Sequence, residues 1–152
     1  MTTNDSKPTP GPDILNERTL TGIVVHLLGL ATGVVGPGIV YLVSKHEFTK
    51  ENARNAVNWH LSVTVVTAIA LISVILGADS LNIPGIPVEA PLLGGSLGTA
   101  FGILGTALML LAMTSWLATF FLGLFAGFKA LTGNTWEYPL ARDFLTRERG
   151  AA

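Results

Sequence analysis

The sequence predicts an all-α membrane protein: three transmembrane helices, an amphipathic extension on the second, and a short C-terminal interfacial helix. Two observations carry that expectation. Three long stretches, Thr19 to Ser44, Asn55 to Ala78 and Ala90 to Phe128, contain no Asp, Glu, Lys or Arg, so the nine basic and ten acidic residues all lie between or around them. Charged residues also make up only 12% of the chain, against about a quarter in a soluble domain, while 49% are hydrophobic and the mean hydropathy is +0.55. A bilayer core roughly 30 Å thick takes about 20 apolar helical residues to cross. The first two stretches are each one crossing long.

Composition removes several function classes. A net charge of −1 gives no footprint for nucleic acid, and the absence of cysteine excludes disulfides, thiolate metal sites and cysteine catalysis. Residues 1–18 are polar, carry Pro8, Pro10 and Pro12, and read as a disordered tail. They lack the basic start and small-residue cleavage site of a secretory signal, so the first apolar stretch is expected to be a retained anchor.

Span one is placed at about 20–43, with thirteen Leu, Ile and Val residues. Gly33, Gly36, Pro37 and Gly38 predict a kink, because proline removes a helical hydrogen bond and glycine adds freedom. The connector 45–54 is short and mixed in charge, with Thr49 as an N-cap and Glu51 in the first turn of the next helix. That helix begins amphipathically near Lys50 and occupies lipid over about 57–77. Residues 78–97, with Pro84, Pro87, Pro91 and several glycines, are expected to form an irregular loop.

The third stretch is long for one crossing, about 59 Å as helix, and short for two with a turn. Its start, marked by Gly94, Gly98 and Gly102, is expected to lie partly outside the core or to re-enter it, with the crossing at 103–126. Gly133-Asn134 ends the helix. Pro139 then opens a short amphipathic segment with Leu140, Phe144 and Leu145 apolar and Arg142 and Arg147 polar. The membrane domain is thus 19–145, and 146–152 is a tail.

Lys and Arg set the orientation. Three crossings put the connector (Lys45, Lys50, Arg54) and C-terminal tail (Lys129, Arg142, Arg147, Arg149) together in the cytoplasm, and the N-terminus (Lys7, Arg18) outside.

Three motifs carry a family resemblance. The first runs from Phe48 through Glu51, Arg54 and the tetrad Ala56-Val57-Asn58-Trp59 to His60. The second is His26-Leu27-Leu28-Gly29-Leu30 followed by Gly36-Pro37. The third is Gly133 followed by Tyr138-Pro139-Leu140. In this order they resemble the MamF/MmsF-like family of small membrane proteins, distantly related to a channel component of the chloroplast inner-envelope Tic translocon. Asn55 stands where the family usually has Glu and His60 where it usually has Gln, and the Pro/Gly loop is longer than usual. The resemblance implies a bundle of three or four helices. It also implies kinship with proteins linked to magnetosome crystal growth, organelle assembly or preprotein import, and a fold alone does not choose among these.

Intramembrane polar residues are the functional candidates. His26 and His60 are expected at different depths, each making an ordinary interhelical hydrogen bond rather than sharing a metal. Glu51, Asn55, Asn58 and Ser62 share one face of the second helix by their spacing of three and four, with Arg54 beside them. They form either internal glue between helices or a docking face. Gly29 and Gly33, the set Gly94, Gly98 and Gly102, and Gly123 and Gly127 each recur at four, the spacing that lets helices approach closely within or between chains. Trp59, Trp136 and Tyr138 suit an interfacial aromatic belt.

No HExxH, phosphate loop or pair of buried carboxylates is present, and no enzyme activity, metal or cofactor is expected. The expected function is a non-enzymatic assembly or scaffold protein whose partners are the lipid bilayer and either further copies of itself or another membrane protein. The alternative is a subunit of a protein-translocation or small-solute channel.

Overall fold

A computed structural model of the chain describes residues 18–78, 81–83, 86–88 and 92–145. It contains four helices, α1 (Leu20–Thr32), α2 (Val35–Val43), α3 (Glu47–Gly77) and α4 (Gly95–Leu131). Two short strands, β1 (Leu81–Ile83) and β2 (Ile86–Val88), precede α4. The tails 1–17 and 146–152 fall outside the described residues.

The first apolar stretch does not form one kinked span. Thr19 caps α1, its hydroxyl accepting from the Gly22 amide at 3.0 Å. The helix ends at Gly33, whose φ of 62° lies in the left-handed region that glycine tolerates. Thr32 secures the break by donating to the Leu28 carbonyl at 2.7 Å and accepting from the Gly36 amide at 3.0 Å. Pro37 sits in the first turn of α2, where a missing amide costs nothing, so it starts a helix rather than bending one.

The contacts with α3 fix the direction of each half. Moving up α1, Thr19 meets Thr49, Gly22 meets Phe48, His26 meets Asn52 and Gly29 meets His60. Moving on along α2, Pro37 lies beside Gly29 at the His60 level, and Tyr41 lies under the Lys50 ammonium, 5.5 Å from its ring centroid. The chain therefore rises along α3 and returns: α1 and α2 are a helical hairpin, with entry and exit at one end. At about 20 and 13 Å long, neither arm reaches across a 30 Å core. The expectation of three crossings is corrected on this point. Two helices, α3 and α4, are long and apolar enough to cross a membrane, and α1 is a shorter apolar helix.

Helices α3 and α4 run antiparallel along their length. Trp59 donates to Thr119 at 2.9 Å, Trp116 to Thr67 at 3.1 Å, and Gly105 abuts Ser73 and Val74. At the far end a Cβ on Gly77 would lie 2.2 Å from the Gly102 amide nitrogen, so the backbones touch there. From Lys50 to Gly77 is about 40 Å of helix, close to a bilayer with its headgroups. The third charge-free stretch is one unbroken helix over 95–131, about 55 Å long, with no hairpin or re-entry in it.

Four further expectations change. Helix α3 begins at Glu47 with His46 at its N-cap, and the Thr49 hydroxyl bonds Thr19 rather than capping its own helix. The loop before α4 holds an antiparallel ribbon pairing Leu81 with Val88 and Ile83 with Ile86. No C-terminal interfacial helix forms within the described part, 132–145; Leu140 has φ 65°, and backbone groups of Trp136, Arg142 and Leu145 bond to side chains of α3. Finally, the N-terminal entry at Arg18 lies beside the Leu131 carbonyl, at the same end as the 44–46 connector. The described chain therefore begins at the connector's end of the bundle.

Candidate functional site

At the end where α1, α2, the start of α3 and the end of α4 meet, polar side chains are gathered inside the bundle. His26 and Asn52 have no exposed surface. Asn52 donates its amide to the Phe48 carbonyl one turn back at 2.9 Å, which fixes its side-chain oxygen toward α1. That oxygen lies 2.9 Å from His26 Nε2, so Nε2 carries the proton and donates. In a neutral ring Nδ1 is then an acceptor, and the Tyr138 hydroxyl donates to it at 2.9 Å. Burial pushes the Tyr138 phenol above its ordinary range, which keeps the hydroxyl proton in place as donor. Each polar atom in this relay has a partner.

Tyr138 is also the hinge of an aromatic stack. Its ring lies nearly parallel to Trp59 at 5.4 Å and tilted against Trp136 at 5.1 Å, and Trp136 meets Phe125 edge-on at 5.0 Å. Trp59, Val63, Ala126 and Tyr138 are the buried apolar cluster beneath the relay.

Beside the relay the polar stripe of α3 receives the segment that follows α4. Asn55 donates to the Trp136 carbonyl at 3.1 Å. Asn58 donates to Asp143 Oδ1 at 2.8 Å and to the Leu145 carbonyl at 3.3 Å, and accepts from the Leu145 amide at 2.8 Å. Ser62 accepts from the Arg142 amide at 2.8 Å. Arg54, buried, lies 3.6 Å from Glu51 and 3.5 Å from Glu137 and donates to Asn55 Oδ1 at 3.1 Å. Together they form a clasp that holds 136–145 along α3.

The structure thus brings Glu51, Arg54, Asn55, Asn58 and Ser62 together, but against the chain's own C-terminal segment rather than against α1 and α4. His26 and His60 lie at different levels within one end of the bundle. His60 stands eight residues beyond Asn52 on α3, about 12 Å further in, with its ring against Gly29 and Pro37. Its Nδ1 and the Nε of Arg54 are buried without a hydrogen-bond partner. Among the described residues no three His, Asp or Glu side chains converge as metal ligands.

The glycines divide. Gly29, Gly102, Gly123 and Gly127 stand at contacts between helices, Gly98 packs on the preceding Leu93, Gly33 makes the hairpin turn, and Gly94 faces open space. Sequence reasoning missed Asn52, Glu137 and Asp143, and gave Tyr138 only a belt role. Asn52, Asn55 and Trp59 recur at three and four, which was the available signal for Asn52.

Fold and site define a small helical protein with two helices of membrane-crossing length, a helical hairpin at one end, and a polar clasp closing that end. The chain belongs to the magnetosome magnetite crystal formation protein family, MamF/MmsF, whose model matches residues 17–145. No curated protein and no solved structure matches it.

Proposed function

We propose that this protein is a non-enzymatic membrane scaffold acting in magnetite crystal formation. In this reading α3 and α4 cross the bilayer, the α1–α2 hairpin dips into it from one side, and the charged end works as a contact surface for membrane-protein partners or further copies. The observation that carries the reading is the closed clasp. Polar groups of the α3 stripe bond to the chain's own C-terminal segment and so build a rigid end.

Three features support the membrane placement. Most of the apolar surface of α3 and α4 is exposed, unlike a soluble core helix. The hydroxyls of Thr64, Thr99, Thr106, Thr114 and Ser115 all donate to the carbonyl four residues back, so these five present no free donor to lipid. Arg18, Lys45, Lys50, Arg54, Lys129 and Arg142, the Lys and Arg of the described residues, all belong to the hairpin end, as the positive-inside rule requires of a cytoplasmic face.

A groove opens at the far end of the bundle. This cavity, about 550 Å³, is lined by Gly77, Thr99, Gly102, Ile103, Thr106 and Leu110 among others, with no titratable group. Two measurements test the reading. The chain should restore normal crystal number or size in a magnetite-forming cell from which its own family member has been removed. Liposomes carrying the purified chain should show no ion flux above protein-free liposomes; steady flux would favour the channel alternative.

A further inference from the structure

The two halves of the bundle differ in girth. At the hairpin end four helical segments lie side by side: α1, α2, the start of α3 and the end of α4. Beyond the hairpin tip, at His60 and Gly123, only α3 and α4 continue. The hairpin is apolar on its outside, with Leu20, Val35, Ile39, Leu42 and Val43 all more than half exposed, a face suited to hydrocarbon. It starts at the level of Arg18, Lys50 and Lys129 and reaches about 20 Å inward, near half of the 40–45 Å of a bilayer with its headgroups.

We infer that the chain is a one-leaflet wedge whose partner is a curved bilayer: it partitions to membrane whose leaflet at the charged end is convex. The inference rests on the two-crossing membrane reading. A helix about 10–12 Å across occupies on the order of 100 Å² in the membrane plane, so the extra pair adds on the order of 200 Å² to one leaflet alone. Lipid in that leaflet must spread around the hairpin while the opposite leaflet closes on two helices. A flat bilayer resists this mismatch, and bending toward the charged end relieves it. The hairpin is held rigidly enough to transmit the strain. Gly29 packs directly on His60 and Pro37, Gly123 packs on Leu30, and the His26 relay ties α1 to α3 and to Tyr138.

The sign of the effect makes the inference testable without disrupting the fold. The chain lacks cysteine, so Ala152→Cys gives one labelling position at its C-terminal end. Labelled full-length protein is reconstituted into giant vesicles in both orientations. An impermeant quencher separates molecules with the charged end outward from those with it inward, and a narrow tether is pulled from each vesicle. Outward molecules should be enriched on the convex tether at least about twofold over the flat parent membrane, and inward ones depleted. Equal density of both orientations on tether and parent overturns the wedge, including the case in which a second copy fills the thin half. Protein that washes off the vesicles in alkaline carbonate overturns the membrane reading itself, which keeps the two failures apart.

Discussion

Tyr138 donates its hydroxyl proton to Nδ1 of His26 across 2.9 Å, joining two residues 112 positions apart in the chain. This bond makes the segment after α4 part of the bundle interior. It also satisfies Nδ1 of a histidine whose tautomer is set by Asn52.

Removing that hydroxyl should therefore be felt. Tyr138→Phe keeps the ring stack on Trp59 but leaves Nδ1 buried and unpaired, at a cost of about 1–3 kcal/mol. Thermal unfolding in detergent measures it. The pH profile provides a second check. The folded state holds the phenol proton more tightly than the unfolded chain, so stability falls as pH rises beyond about 10, the unfolded phenol value. That loss should be smaller in Tyr138→Phe.

Asn58 makes three hydrogen bonds to Asp143 and Leu145. Asn58→Leu should release the C-terminal segment, speeding proteolysis near Arg142 and lowering stability by about 1–3 kcal/mol. Lys45→Ala, on an exposed connector side chain, should leave both unchanged. A segment still protected in Asn58→Leu would mean that the Tyr138 stack and the Asn55 and Ser62 bonds suffice to hold it.

The charges of the clasp should behave unequally. Glu137 is 75% exposed, so Glu137→Gln should cost no more than about 1 kcal/mol. Arg54 is buried against Glu51 and bonds Asn55, and Arg54→Ala should cost about 3–5 kcal/mol by leaving those partners unmatched. Urea or thermal unfolding of the two variants decides the order.

Glycine spacing alone does not separate positions that the structure does. A Cβ on Gly77 would collide with the Gly102 backbone, whereas one on Gly94 meets nothing within 4 Å. Gly77→Val should splay the far end and destabilise by about 1–3 kcal/mol or more, while Gly94→Ala should be silent. Gly77 carries no four-residue partner of its own, which is why spacing did not single it out.

Much of the architecture was legible because charge is so fully segregated. The end of the long apolar helix α3 near Gly77, the end of α4 before Gly133 and the shared face of Asn55, Asn58 and Ser62 all follow from local pattern. The hairpin did not. Apolar count and length over 20–43 are the same for a kinked span and for two short arms, and the choice is made by a single left-handed residue, Gly33, with Thr32 bonding on both sides of it. The relay was equally hidden, because His26, Asn52 and Tyr138 belong to three different segments. The lost C-terminal helix has a tertiary cause: Asn58 and Ser62 offer the backbone at 142 and 145 partners that a helix would have taken.

Membrane sidedness is the prediction on which the most depends. A kinked first span would put the N-terminus and the 45–54 connector on opposite faces, whereas the hairpin puts them on the same face. Single cysteines at Ser6, Lys45, Ser80 and Ala152, in a chain with none of its own, distinguish the two with an impermeant thiol reagent. The expected outcome is that Ser6→Cys, Lys45→Cys and Ala152→Cys label from the cytoplasmic side and Ser80→Cys from the other. This arrangement also collects the six Lys and Arg of the described residues on one face, a bias of the kind the positive-inside rule reads as cytoplasmic. Labelling of Ser6→Cys together with Ser80→Cys would restore the single kinked span, and with it equal girth in both leaflets.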